Sequence, residues 1–255
     1  MAVVLGYFNQ TDDSTLAGGS WNASYPLTNL QNRYLLQKAR TSDALATSSV
    51  ITIDMGTPQS IGVIALISNN LTTNATVRVR GDDNSDMSSP AYDSGVVGVY
   101  EHTDYAISFA PTYVRYWRID IVDTVNPDGY IEIGRLFLGS RFRPSINVEY
   151  GPAISIESRT EVAEALDGPE YFNELANRRV WQGTWSALTD AEAYRQMLVI
   201  MKDSDVSGEV YFFEDDADNI YQDLRWFYGR LRSLNGIEWP YLDRHSVAIE
   251  VSELL

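Results

Sequence analysis

Tyr130-Ile131-Glu132-Ile133-Gly134-Arg135-Leu136-Phe137-Leu138-Gly139-Ser140-Arg141-Phe142-Arg143-Pro144 is the stretch around which the chain is organised. It opens as an alternating strand, passes through Gly134 and Gly139, and stops at Pro144 just after Arg141 and Arg143. The residues before it form a β-rich pattern, and those after it form a different pattern that includes a helix. Ile131–Leu138 is therefore read as the last strand of a first domain, residues 1–140. Gly139–Pro144 is read as a short connection to a second domain, residues 141–255. The connection has no Gly/Ser-rich spacer, so a stiff junction is expected.

Working back from this stretch, residues 9–32 are rich in Asn, Ser, Thr, Asp and Gly, which form loops. Val50–Gly56 alternates with period two, so one face of that strand is expected to be buried. Thr57-Pro58-Gln59-Ser60 reads as a turn. Ile61–Ile67 is a continuous apolar run, as in a strand covered on both faces. Ala75–Gly81 and Tyr113–Ile121 alternate again, and Asn126-Pro127-Asp128-Gly129 is a strong turn signal. Short strands, regular turns and no long amphipathic helix predict an antiparallel β-sandwich.

Working forward, Ile146–Ile156 is strand-like but broken at Gly151-Pro152, and Glu161–Leu166 reads as a helical turn or an extended loop. Arg178–Trp185 reads as a strand. Thr189-Asp190-Ala191-Glu192 has capping-box spacing, in which a Thr hydroxyl accepts from the N3 amide and the Glu reaches back. A helix is predicted over about 190–202, with Ala193, Tyr194, Met197, Leu198 and Met201 on its buried face. Glu209–Phe213 and Ile220–Tyr228 flank a turn at Glu214–Asn219, giving a hairpin. Ser246–Glu253 is the final strand, with Val247, Ile249 and Val251 on one face. The fold class expected is mainly β: two β-sandwiches, the second flanked by one helix.

The order of Val50–Gly56, Ile61–Ile67, Ala75–Arg80, Tyr116–Ile121 (YWRIDI) and Ile131–Leu138 (IEIGRLFL) resembles a discoidin-type, galactose-binding-like jelly roll. The passage from strand into helix, Arg178–Leu198, is similar in layout to the tail-tube and distal-tail proteins of tailed bacteriophages. Together these resemblances imply a phage minor tail or baseplate protein. It would form a homo-oligomeric ring of six or three at the distal tail and display the jelly roll outward. The implied partners are the tail tube, hub and fibres, and the implied location is the virion tail, after assembly in the host cytoplasm. The alternative is a glycan-binding module for host-surface polysaccharide. A glycoside hydrolase is third, because a carboxylate pair is all that such an enzyme needs.

Composition narrows the partners. The formal net charge is −16, and both parts are acidic: residues 1–140 carry 8 Lys/Arg against 14 Asp/Glu, and residues 141–255 carry 11 against 21. Such a surface repels phosphate backbones and anionic membranes, so nucleic acid and membrane insertion are not expected. There is no cysteine, which excludes disulfides, thiolate nucleophiles and Cys-ligated metals. The first seven residues lack a basic segment and a long apolar run, so no signal peptide is expected there.

Candidate site residues are few. The two histidines, His102 and His245, fall in different expected domains and read as surface or strand-end residues. Asp82, Asp83 and Asp86 offer oxygen ligands, so a structural calcium is the one cofactor considered. They lack the complete EF-hand spacing and read first as a solvated turn. Asp215, Asp216, Asp218 and Asn219 form a similar loop without the turn glycine. Trp21, Tyr25 and Tyr92 are the glycan-stacking candidates, with Tyr100 and Tyr105 nearby in sequence; each is weighed against a core or interface role. No catalytic residue is assigned.

Overall fold

The computed structural model describes residues 2–99, 104–165, 168–217 and 220–255. In chain order the strands are β1 (Val4–Tyr7), β2 (Thr15–Ala17), β3 (Ala39–Arg40), β4 (Val50–Ile67), β5 (Thr76–Asp82), β6 (Tyr92–Asp93), β7 (Val97–Gly98), β8 (Tyr105–Val122), β9 (Glu132–Ile133) and β10 (Arg135–Phe142). They continue as β11 (Ala153–Glu157), β12 (Glu161–Glu164), β13 (Glu170–Asn173), β14 (Arg178–Leu188), β15 (Val210–Phe213), β16 (Trp226–Leu231), β17 (Glu238–Tyr241) and β18 (Arg244–Glu253). A π-helical stretch, Ala191–Met197, runs into α1 (Leu198–Ser204), and a single turn, α2 (Gln222–Arg225), precedes β16. The chain is mainly β, as expected, and the sandwich reading of its first part is consistent with this strand order. Among the described residues no helix is long and apolar enough to cross a membrane.

One large antiparallel sheet runs β11-β14-β18-β16-β15-β1-β10-β4-β8-β5-β6. Its hinge is β1. Leu5 pairs with Phe142 of β10 on one side and with Phe212 of β15 on the other. The first residues of the chain thus hydrogen-bond the strands before residue 142 to those after it. Three apolar clusters follow from strand alternation. Ile64, Leu66, Leu136 and Leu138 face a core made within residues 27–138. Val3, Leu5 and Phe142 join Trp181, Trp185, Met197 and Phe212 in a second core. Between them Val4, Val63, Ala65, Ile67 and Phe137 pack on Tyr211, Phe213, Trp226 and Tyr228. The run Ile61–Ile67 is therefore covered on both faces, and the second cover comes from the later half of the chain. Burying each large apolar side chain contributes roughly 1.5–3 kcal/mol, so this seam is a substantial interface.

A charge network centred on the buried Arg135 and Glu209 fastens the same seam. Arg135 donates through Nη1 and Nη2 to Asp12 (2.6 and 2.8 Å) and through Nη2 to Glu209 (2.8 Å). Arg33 pairs with the other side of Glu209 at 2.8 Å. Burial alone would lower the Arg135 pKa, but the Asp12 and Glu209 carboxylates outweigh it and raise it.

The structure corrects several expectations. Thr57–Ser60 is not a turn between strands. It lies within β4, where the ladder to β8 slips between Asp54 and Gln59 and Gly56 takes φ +72°. A bulge absorbs the extra residues without ending the strand. Ile131–Leu138 is two strands, not one. Gly134 separates β9, which pairs with β3, from β10, and a Cβ there would sit 2.8 Å from the Leu35 carbonyl. Gly139 does not begin a linker, because β10 runs on to Phe142. Glu161–Glu164 is neither helix nor loop but one arm of a hairpin with β13; Leu166 lies outside the described residues. Gln222–Arg225 is helical, so β16 starts only at Trp226.

The helix spans 191–204 where about 190–202 was expected. Thr189 and Glu192 do form the capping box: Glu192 accepts from the Thr189 amide at 2.8 Å, and its own amide donates to the Thr189 hydroxyl at 3.4 Å. Ala193, Met197, Ile200 and Met201 are buried, but Tyr194 and Leu198 are exposed. They sit on the rim of the apolar stripe, where the Tyr194 ring meets His245 edge-on with centroids 5.0 Å apart.

Candidate functional site

The short ladder of β3 with β9 pairs Arg40 with Glu132. The loop before it is tied down by backbone bonds: the Arg40 amide donates to Tyr25 O at 3.0 Å, and the Asn22 amide donates to Arg40 O at 2.9 Å. Trp21 bridges to Thr41, and its indole donates to Gly18 O at 3.0 Å. These local bonds bring Tyr25 and Tyr130 to one guanidinium. The Arg40 carbon lies 4.4 Å from the Tyr25 ring centroid and 4.1 Å from that of Tyr130.

In the same cluster, Arg40 Nε donates to Glu132 Oε1 at 3.0 Å. Lys38 Nζ lies 3.7 Å from the other Glu132 oxygen. The hydrogen-bonded Glu132 carboxylate raises the Arg40 pKa, so its charge is permanent. Asn70 secures the far side. Its Nδ2 donates to Asp128 Oδ2 (2.8 Å) and to Tyr130 O (3.1 Å), and its Oδ1 accepts from the Glu132 amide at 2.7 Å. Tyr25 stays 41 % exposed. The result is a surface that carries two tyrosine rings beside hydrogen-bond donors and acceptors.

Of the stacking candidates, Tyr25 contacts Arg40, while Trp21 bridges to Thr41 and packs partly buried against the first core. Tyr92 is not part of this surface. Its ring stacks on Phe109 (centroids 3.9 Å apart, 20° between planes) and leans on Trp117, and burial pushes its phenol up to about 12. Tyr105 is a buried core residue of β8, and Tyr100 lies outside the described residues. Sequence reading missed Arg40, Tyr130 and Glu132. No local signal marks them, because Arg40 and Glu132 meet only through the β3–β9 pairing across a sequence separation of 92.

The calcium candidates are not gathered. Asp82 Oδ1 accepts from the Asn84 amide (3.2 Å), Asp83 from the Arg115 amide (3.2 Å) and Asp86 from the Ser88 amide (3.1 Å). Each carboxylate serves its own turn or neighbour. Among the described residues no group of three His, Asp or Glu is placed to hold a metal. In the second acidic loop Asp216 faces Arg141 at 3.4 Å and Arg143 at 3.6 Å, while Asp218 and Asn219 lie outside the described residues. His245, read as a surface or strand-end residue, is buried near the start of β18, with Nε2 2.7 Å from Asp190 Oδ1. His102 lies outside the described residues.

No family model matches the chain, and no curated protein matches its sequence. Among solved structures, the chain is similar over part of its length to carbohydrate-binding modules. One is the family 32 module from Clostridium perfringens NanJ in complex with galactose: 15% identity, covering 54% of this chain and 99% of that one, TM-score 0.43. Another is CBM32-1 from a family 31 glycoside hydrolase of the same organism: 12% identity, 52% and 99% covered, TM-score 0.43. A third is the lectin binding domain of Lectinolysin complexed with Lewis b: 11% identity, 52% and 96% covered, TM-score 0.42. At these scores the likenesses carry no argument about what this chain does.

Proposed function

We propose that the protein is a non-catalytic glycan-binding component, recognising host-surface polysaccharide through the surface around Arg40. The observation that carries this reading is the Arg40 guanidinium against the rings of both Tyr25 and Tyr130 and hydrogen-bonded to Glu132. Ring faces stack on the C–H faces of sugars, while fixed N–H groups and carboxylate oxygens meet ring hydroxyls. Arg40 and Lys38 both hold Glu132, an arrangement for recognition rather than for proton transfer. The discoidin-type strand pattern points the same way. A glycan array probed with the full chain tests it. Binding to at least one polysaccharide, weakened about tenfold or more by Tyr25→Ala, supports it. No binding to any glycan sinks it.

A second reading has its own support. The β12–β13 hairpin has every strand residue exposed, including Val162, Tyr171 and Phe172, and β17 exposes Trp239 and Tyr241. Exposed apolar arms of this kind mark interaction surfaces. In a phage tail tip or baseplate such arms would meet neighbours in a ring, with tail tube, hub or fibre proteins beside it and the glycan surface turned outward. Mass spectrometry of purified particles checks it, and absence of the chain from them removes it.

A further inference from the structure

A cleft of about 530 Å³ lies in the later half of the chain and shares no residue with the Arg40 surface. Asp190 and Tyr194 line it from the start of the helix, Trp239 and Tyr241 from β17, and Asp243 from the two-residue turn into β18. The buried His245 ring holds the two nearer aromatics in place. Its centroid is 5.0 Å from that of Tyr194 and 5.5 Å from that of Trp239, and these two rings stand 6.2 Å apart at 63° to each other. Trp239 and Tyr241 are nevertheless each 72 % exposed. A cleft of this size with open rings and a few polar groups suits a small ligand.

The hydrogen bonds at His245 define the chemistry of the ligand. Its Nε2 lies 2.7 Å from Asp190 Oδ1 and 3.2 Å from Trp239 Nε1. An indole nitrogen only donates and a carboxylate only accepts, so Nε2 cannot serve both at once. The contact with the charged oxygen is the shorter and stronger, and it takes the Nε2 proton. The Trp239 N–H is then left to donate to a group in the cleft, where the Asp190 and Asp243 carboxylates can accept. Among the described residues no lysine or arginine lines the cleft, and Arg244 donates to the Asp243 main-chain oxygen at 3.3 Å. An anion is therefore repelled, and a simple cation offers the indole no acceptor. A sugar hydroxyl does both tasks, accepting from the indole and donating to a carboxylate, while the C–H face of the ring covers an aromatic face. We propose that this cleft binds a neutral hexopyranose, with its C–H face on Trp239 and its hydroxyls between the Trp239 N–H and the Asp190 and Asp243 carboxylates. It is a second sugar site, independent of the Arg40 surface, so either can fail alone.

Titration calorimetry and tryptophan emission on the full chain test the proposal, with a panel of neutral methyl hexosides beside tetramethylammonium and acetate. At least one hexoside should bind with a Kd of about 10 mM or tighter and shift the emission to the blue as Trp239 is covered. Trp239→Ala should remove that shift and weaken binding about tenfold or more. Asp243→Gly should weaken it about fivefold. This change deletes the carboxylate, while the φ of +61° at this position suits glycine, so the turn is kept. Should Trp239→Ala fail to fold, Asp243→Gly carries the test by itself. Tyr25→Ala should leave this binding unchanged. If Tyr25→Ala instead abolishes all hexoside binding, only the Arg40 surface takes sugars and the second site is overturned. It is equally overturned if no hexoside binds up to about 50 mM, if tetramethylammonium binds in their place, or if binding survives Asp243→Gly and folded Trp239→Ala undiminished.

Discussion

Arg135 Nη2 and Glu209 Oε2 meet at 2.8 Å across the seam, with side chains 0 % and 3 % exposed. One residue comes from β10 and the other directly precedes β15, so the pair joins the two halves at a point sealed from water. Breaking a buried pair by removing one partner leaves an uncompensated charge and costs about 3–5 kcal/mol. Glu209→Ala leaves Arg135 its two bonds to Asp12, so it should lower urea stability by less than that, about 1–3 kcal/mol. A loss under about 1 kcal/mol would show that the pair is not buried in solution.

Because β1 pairs with both β10 and β15, and a shared apolar cluster lies under it, the halves should not unfold separately. Calorimetry of the full chain should give one cooperative transition. Copies of the chain superposed on residues 143–255 should also superpose on the remainder. Two resolved transitions, or a large swing between copies, would contradict the stiff junction.

Asp104 sets a pH dependence of unusual sign. Burial raises its native pKa to about 6, above its ordinary value of 3.8. The native state then holds the proton more tightly than the unfolded chain does. The associated stability is complete below about pH 4 and is lost as pH rises through about 6, on the order of 3 kcal/mol in all. Asp104→Asn should be more stable than wild type at pH 8 and level with it at pH 4. Asp93, held down to about 2 by its hydrogen bond from Arg78, works the other way, and its contribution disappears as pH falls toward 2. Denaturation curves at pH 2, 4, 6 and 8 distinguish the two; a parallel loss in wild type and Asp104→Asn between pH 4 and 8 would refute the Asp104 assignment.

Gly139 has no room for a side chain. A Cβ would lie 2.6 Å from the Tyr7 carbonyl oxygen and 2.6 Å from Phe137 Cε1. The first of these is backbone in the β1–β10 ladder and cannot swing away. Gly139→Ala should cost about 1–3 kcal/mol in thermal or urea unfolding. Gly98, with nothing within 4 Å of its Cβ position, serves as the matched control and should change little.

The β12–β13 hairpin contributes nothing visible to the core, since all its strand residues are exposed. Replacing residues 161–173 with a short Gly-Ser turn should leave stability within about 0.5 kcal/mol. If the hairpin serves assembly, the same change should abolish incorporation into particles. A large loss of stability would mean that the hairpin packs on its own chain.

The strands were legible wherever one periodicity prevailed. Val50–Gly56, Ala75–Gly81 and Ser246–Glu253 alternate because one face of each meets a core, and the capping box at Thr189 and Glu192 is a local hydrogen-bond pattern. Less legible were features that depend on neighbours distant in sequence. Thr57–Ser60 has turn chemistry, yet its pairing with β8 carries it through as a bulge. Glu161–Glu164 lacks a buried face, so it shows no periodicity, and only its partner β13 makes it a strand.

Sequence alone established a mainly β chain, acidic throughout, without cysteine chemistry, and changing character near residues 130–144. It also marked Ile61–Ile67 as covered on both faces, because an unbroken apolar run cannot present one side to water. Only the tertiary structure decided what covers the second face: Tyr211, Phe213, Trp226 and Tyr228, from the other half of the chain. The same holds for Tyr25, Arg40 and Tyr130. Each residue taken singly is an ordinary surface residue, and a site arises only because the β3–β9 ladder brings loops about a hundred residues apart to one guanidinium. The opening stretch shows both limits. Its alternation, written in local sequence, marked Ile131–Leu138 as extended. Its division at Gly134 and its continuation to Phe142 were decided by Leu35, Tyr7 and Leu5, residues that contact it only once the chain has folded.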